Sequence, residues 1–212
     1  MKSAYFTSKQ ISTQAEQLLA DLKIKHRRPV ELRKPVLLVL DMQQYFLDPE
    51  SHAFVPSGPA LIPGIQRLIR SFRQNRYPVI FTQHINTPED AGMMATWWHD
   101  LITIDHPLVG LSSQLEIGES PVVQKSQYDA FFGTELDSML KSLEISDVVI
   151  TGVMTHLCCE TTARAAFVRG YRVWLVVDGT ATYHLDFHKS SLMTLAHGFA
   201  TPVLVREMIA AI

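Results

Sequence analysis

The chain has 212 residues, and 19 lysines and arginines against 21 aspartates and glutamates leave a net charge of −2. Hydrophobic residues make up 47% and charged residues 19%, a charged share below the usual ~25%, which excludes disorder for the bulk of the chain. The near-neutral balance gives neither nucleic acid nor an anionic membrane an electrostatic footing, and the two cysteines, Cys158 and Cys159, are adjacent, a spacing that rarely reaches disulfide geometry.

Residues Ser8 to Lys25 place Ile11, Ala15, Leu18, Leu19 and Leu22 on one helical stripe, so a helix is expected there. The basic stretch Lys25 to Lys34, with Pro29, reads as a connector. Residues 1–34 are therefore expected to form a helix and connector, and residues 35–212 one domain. The N-terminus turns polar within a few residues, so no signal-peptide core is read there. No apolar run approaches the length of a membrane span, and a cytoplasmic setting is expected.

Val36 to Leu40 is an unbroken apolar run, as in a strand buried on both faces of a parallel sheet, and it ends in an acid, Asp41. Leu61 to Asn75 has helical periodicity, and Pro78 to Thr82 reads as the next strand. Gln83 to Glu119 has weak periodicity; a loop of that length usually carries function or short elements. Val122 to Lys125 reads as a short strand ending in lysine. Then come a helix over Thr134–Leu143, a strand over Val148–Thr151 and a helix over Cys158–Arg169. A strand over Arg172–Val177, a helix over His184–His197 and a strand over Val203–Val205 complete the chain. Such alternation predicts a three-layer α/β/α sandwich with a mainly parallel, Rossmann-like sheet.

Sites in open α/β sheets lie outside the carboxyl ends of the strands, where Asp41, Lys125 and the turn leading to Cys158 fall. A thiol at a helix N-terminus beside a lysine is expected to have a lowered pKa. Free backbone N–H groups there can hold an oxyanion, and an acid can shuttle the thiol proton. Together these make a kit for covalent hydrolysis. A buried structural cysteine is the alternative for Cys158, and it is the reading kept for Cys159. His184 and His188, spaced i,i+4, lack an evident third ligand, so a capping or packing role is expected. No Gly-x-Gly-x-x-Gly occurs, so a dinucleotide site lacks its phosphate cradle.

Three segments carry a family resemblance: Val39-Leu40-Asp41-Met42-Gln43, Lys125-Ser126-Gln127-Tyr128-Asp129-Ala130-Phe131, and Gly152-Val153-Met154-Thr155 followed by Cys158 and Thr161-Thr162-Ala163-Arg164-Ala165-Ala166. From about Pro35 onward the sequence resembles the isochorismatase-like cysteine hydrolases, which include nicotinamidases, carbamoylsarcosine amidohydrolases and isochorismatases proper. The resemblance implies Asp41 as general base, Lys125 as its partner and Cys158 as nucleophile. It further implies a cis peptide at Val153–Met154 and an oxyanion hole from the backbone N–H groups of Met154 and Cys158. Nicotinamidases carry a metal-binding Asp-x-His after the second strand, where this chain has His84 and Asn86, so neither a metal nor a cofactor is expected. Isochorismatases proper typically have glycine at the nucleophile position, and the cysteine favours C–N hydrolysis of a small amide or ureide through a thioester. His156 and the Lys125 motif keep vinyl-ether hydrolysis of the isochorismatase type as an alternative, and a non-catalytic binding or scaffolding protein is the alternative from another class. His84, Trp97, Tyr128, Phe131 and His156 are the candidate pocket residues. A small-molecule substrate and a homodimer or higher homo-oligomer are expected.

Overall fold

The structure is a computed structural model that describes residues 2–22, 28–98 and 100–212. Residues 23–25, where the first helix was expected to end, lie outside these, as do the first residues of the connector. The described residues form helices α1 (Ile11–Asp21), α2 (Gln44–Leu47), α3 (Gly58–Gln74), α4 (Met94–Trp97), α5 (Leu136–Ser142), α6 (Glu160–Val168), α7 (Leu185–Gly198) and α8 (Val205–Ala210). The strands are β1 (Pro35–Leu40), β2 (Val79–His84), β3 (Val122–Lys125), β4 (Asp147–Val153), β5 (Arg172–Ala181) and β6 (Thr201–Val203).

The strands make one sheet in the order β3-β2-β1-β4-β5-β6, and every pairing is parallel. The apolar runs explain its middle: every residue of β1 and of β4 is buried, as parallel strands covered by helices on both faces require. Helices α3 and α8 pack together against β5 as one layer, and α6 and α7 pack together as the other. From β1 the chain steps outward through β2 to β3, then returns beside β1 as β4 and steps the other way. The switch point is therefore between β1 and β4, where open α/β sheets hold their ligands.

Boundaries differ from the sequence reading where local chemistry allows. Helix α3 starts before Leu61 because Pro59 sits in its first turn, where a missing N–H is no loss. The expected strand over Val203–Val205 ends at Val203, and α8 follows; Glu207 accepts the Leu204 N–H at 2.9 Å and so fixes the start of α8. Within the long Gln83–Glu119 stretch the chain forms the end of β2 and the short α4. The helix expected to open near Cys158 starts earlier, with a π-helical turn over Thr155–Cys159.

The N-terminal segment joins the same core through Phe6, Ala15, Leu18 and Leu19. The backbone N–H groups of Tyr5 and Phe6 donate to Ser57 Oγ at 2.9 and 3.0 Å. Ser3 N–H donates to the Tyr183 carbonyl at 2.9 Å. Residues 2–6 thus run as a strap from the loop before α3 to the loop before α7. No helix among the described residues is long and apolar enough to cross a membrane.

Candidate active site

Each site residue sits where a strand ends. Asp41 follows β1 with φ +50°, a left-handed conformation that aspartate tolerates better than most side chains. Thr82 on neighbouring β2 holds it in place. The Thr82 hydroxyl donates to Asp41 Oδ1 at 2.6 Å and accepts the Asp41 N–H at 3.1 Å. Lys125 closes β3, and Cys158 lies in the π-helical turn after β4. Gly152 lets the two central strands meet there: at φ +111° a Cβ would stand 2.0 Å from the Leu40 carbonyl oxygen.

Lys125 Nζ lies 2.8 Å from Asp41 Oδ2, with both side chains fully buried. It also lies 3.4 Å from Cys158 Sγ and donates to the Gln127 carbonyl at 2.9 Å. The structure therefore brings Asp41, Lys125 and Cys158 together. Burial would raise the Asp41 carboxyl, but the Lys125 ammonium, with lesser help from His84 and the Cys158 thiol, holds it below its ordinary value. Burial likewise opposes the Lys125 charge, and Asp41 and Cys158 more than restore it. The thiol goes the other way from the sequence expectation. Burial first, then the Asp41 charge, push Cys158 up to about 12, and Lys125 offsets only part of this. The thiol also does not stand at the helix N-terminus that was expected for it, since the helical turn begins three residues earlier, at Thr155. The resting cysteine is thus a protonated thiol beside an ionised carboxylate.

The Val153–Met154 peptide bond is cis. The Met154 carbonyl accepts the N–H of both Leu157, at 3.1 Å, and Cys159, at 3.2 Å, the second being the wide π-type turn often found at functional sites.

Cys158 opens on a cavity of about 270 Å³, at the small end of ligand pockets, which run ~300–1,000 Å³. His84 and Tyr128 line it. The other three expected wall residues do not. Trp97 points to solvent at 74% exposure, and its neighbour Trp98 lines the cavity instead, its indole N–H donating to Tyr128 Oη at 2.7 Å. Helix α4 ends at Trp97, and Trp98 follows in an extended conformation (φ −102°, ψ 152°), so the two side chains part where the helix stops, a boundary that periodicity could not resolve in so brief a helix. Phe131 is core, stacked on Tyr171 with centroids 6.1 Å apart. His156 faces α7, stacked on Phe187 at 4.6 Å and bonded to Thr182 Oγ1 at 2.6 Å.

His84 and Asn86 occupy the positions where a metal was considered. His84 Nε2 pairs with Asn86 Oδ1 at 2.8 Å, and His84 Nδ1 lies 3.3 Å from the Lys125 ammonium. Burial and that ammonium pull His84 down to about 4. Among the described residues there is no group of three or more His, Cys, Asp or Glu arranged to hold a metal. With both ring nitrogens engaged and a fixed cation alongside, these residues do not fit a divalent metal.

The roles of Thr82 and Gln43 escaped the sequence reading, whereas the Trp97-Trp98 pair was a possible pocket wall from the start. Gln43 accepts the His84 N–H at 2.8 Å and donates to the Val109 carbonyl at 2.8 Å, so it ties β1, β2 and the long loop together. A polar residue beside each strand end was the available signal. His184 and His188 take the capping and packing roles expected: His184 accepts the Asp186 N–H at 3.3 Å, and His188 is buried.

The isochorismatase domain model matches residues 35–207. The chain belongs to the isochorismatase-like cysteine hydrolase superfamily. Nicotinamidase 3 of Arabidopsis thaliana is 37% identical over 169 residues, spanning 77% of this chain and 81% of that protein. Among solved structures, a cysteine hydrolase from Pseudomonas syringae pv. phaseolicola 1448A superposes with TM-score 0.81 at 26% identity, covering 88% of this chain and 97% of that one. N-carbamoylsarcosine amidase from Thermoplasma acidophilum superposes with TM-score 0.71 at 26% identity, covering 82% and 97%. The chain is thus an isochorismatase-family hydrolase, and it shares its α/β fold with these two solved structures.

Proposed function

We propose that the protein is a metal-independent cysteine hydrolase that cleaves the C–N bond of a small amide or ureide. The observation that carries this reading is the buried contact of Asp41, Lys125 and Cys158 at the wall of a small, mostly apolar cavity. The relatives named for amidase activities support the same bond class.

Because the thiol is protonated at rest, attack and proton transfer go together. Asp41 takes the thiol proton as Cys158 Sγ bonds to the substrate carbonyl carbon, and the carbonyl π pair moves to oxygen. The N–H groups of Met154 and Cys158 are assigned to that oxyanion; one such donor contributes about 10²–10³ in rate. When the oxyanion collapses, the C–N bond breaks and Asp41 returns the proton to the leaving nitrogen. Ammonia or an amine departs and a thioester remains. Asp41 then takes a proton from water as the hydroxyl adds to the thioester carbon. Collapse releases the acid, and the thiolate regains the proton. Lys125 stays cationic throughout and keeps Asp41 ionised between steps.

The test is product release from a panel of small amides, ureides and isochorismate with wild type and Cys158→Ala side by side. Ammonia or amine release lost in the variant, with a thioester mass trapped on the wild type, is expected. Pyruvate release from isochorismate that survives Cys158→Ala would overturn the reading.

A further inference from the structure

The strap at residues 2–6 lies before the segment the family model matches, residues 35–207, yet it delivers a charged side chain to the cavity. Lys2 lines the same space as Cys158. The anchors at Ser3, Tyr5 and Phe6 set its path. The ammonium donates to the His52 carbonyl oxygen and sits over the Tyr183 ring, 4.1 Å from its centroid. Both partners orient a cation, but neither carries a full negative charge.

The other ionisable groups around the cavity have partners of their own. Lys125 is paired with Asp41. Asp100 accepts the Tyr45 hydroxyl at 2.7 Å and lies 2.7 Å from His52 Nε2. Among the described residues, Lys2 makes no ion pair with a carboxylate. The cavity therefore has a thiol in its wall, an ammonium without a carboxylate partner at the strap, and the Asp100 carboxylate held by Tyr45 and His52, and much of the remaining lining is aromatic and aliphatic.

We propose that Lys2 is a specificity-determining residue that binds a carboxylate of the substrate, so that the molecule cleaved is a small amide or ureide carrying an anionic group away from the scissile C–N bond. This rests on the hydrolase reading for its reaction, but not for its binding site. A cation resting on an aromatic face and a carbonyl is already oriented, so a carboxylate gains an ion pair without first breaking another. Partial exposure of the ammonium makes that gain sensitive to salt.

Two matched pairs of probes test it. The first is Cys158 alkylation by 3-maleimidopropionate against N-ethylmaleimide, each normalised to glutathione, at low and high salt. The second is turnover of succinamate against butyramide. In wild type the anionic label is expected to be favoured about tenfold at low salt, with the preference shrinking as salt rises. Lys2→Met is expected to abolish that preference and Lys2→Arg to retain it. Equal labelling in wild type, or a ratio unchanged in Lys2→Met, overturns the carboxylate site. Turnover of butyramide without anionic preference would sink this proposal alone. Anionic preference in labelling, with no amide or ureide of the panel turned over, would sink the hydrolase reading alone.

Discussion

The ammonium of Lys125 stands 2.8 Å from the Asp41 carboxylate, and water reaches neither side chain. Taking two charges out of water costs several kcal/mol per ion and is tolerable only while each compensates the other. The pair therefore couples the chemistry of the site to the stability of the fold.

Lys125→Met leaves a buried, uncompensated carboxylate. A loss of about 3–5 kcal/mol is expected, read as a lower denaturant midpoint, together with loss of hydrolysis. Asp41→Asn keeps the shape of the side chain and is expected to lower kcat by about 10²–10⁴, the range for a missing general base. Near-normal turnover in Asp41→Asn would remove Asp41 from the mechanism.

Thiol reactivity should move opposite to activity. With Cys158 pushed up to about 12 by burial and by Asp41, wild-type alkylation at neutral pH is expected to be slower than that of glutathione. Removing the carboxylate charge in Asp41→Asn lowers the thiol pKa, so iodoacetamide should react several-fold faster while hydrolysis falls. A fast-reacting wild-type Cys158, measured by mass at each cysteine, would refute this account of the resting state.

Stability should depend on pH through buried histidines. Burial pulls His188 down to about 3 and is the main cause that brings His84 to about 4, from an ordinary 6.5. Between those values and 6.5 the unfolded chain binds more protons, so folding weakens as pH falls from about 6.5 toward 4. The slope is roughly 1.4 kcal/mol per pH unit for each fully titrating proton. Asp41 adds to this only below about 3.8, where its lowered folded value matters, and Lys125 loses its contribution only as pH rises above 10.5. Urea midpoints from pH 4.5 to 8 check the slope, and His188→Leu should flatten it by about one proton.

Trp98 and Trp97 should separate cleanly. Trp98→Phe loses the hydrogen bond to Tyr128 and loosens the cavity wall, so KM for the preferred substrate is expected to rise several-fold. Trp97→Ala, on an exposed side chain, should stay within about 0.5 kcal/mol in stability and leave KM unchanged. The reverse pattern would mean that the wall is assigned to the wrong indole.

Gly152→Ala is expected to cost at least about 3 kcal/mol, because a left-handed alanine is strained and its Cβ would meet the Leu40 backbone at 2.0 Å. A melting temperature within a few degrees of wild type would show that β1 and β4 can part there without loss.

Several features were legible without coordinates. The apolar runs Val36–Leu40 and Val148–Thr151 specify strands buried on both faces, because any other placement would expose them. Asp41 and Lys125 stand at strand ends in the sequence itself, and alternation with helices sends those ends to one edge of a parallel sheet. What distance and burial decide could not be read this way. Whether the thiol is acidic depends on a balance of burial, Asp41 and Lys125 that exists only once they lie within a few ångströms, and that balance reverses the helix-dipole expectation. Which of two adjacent tryptophans faces the cavity depends on where one short helix ends and the chain turns extended. That Lys2 reaches the cavity wall follows from where Tyr5, Phe6 and Ser57 pack, a contact between segments some fifty residues apart. Local pattern carries the strand, its end and its chemistry; only packing brings distant side chains together and sets their charges against one another.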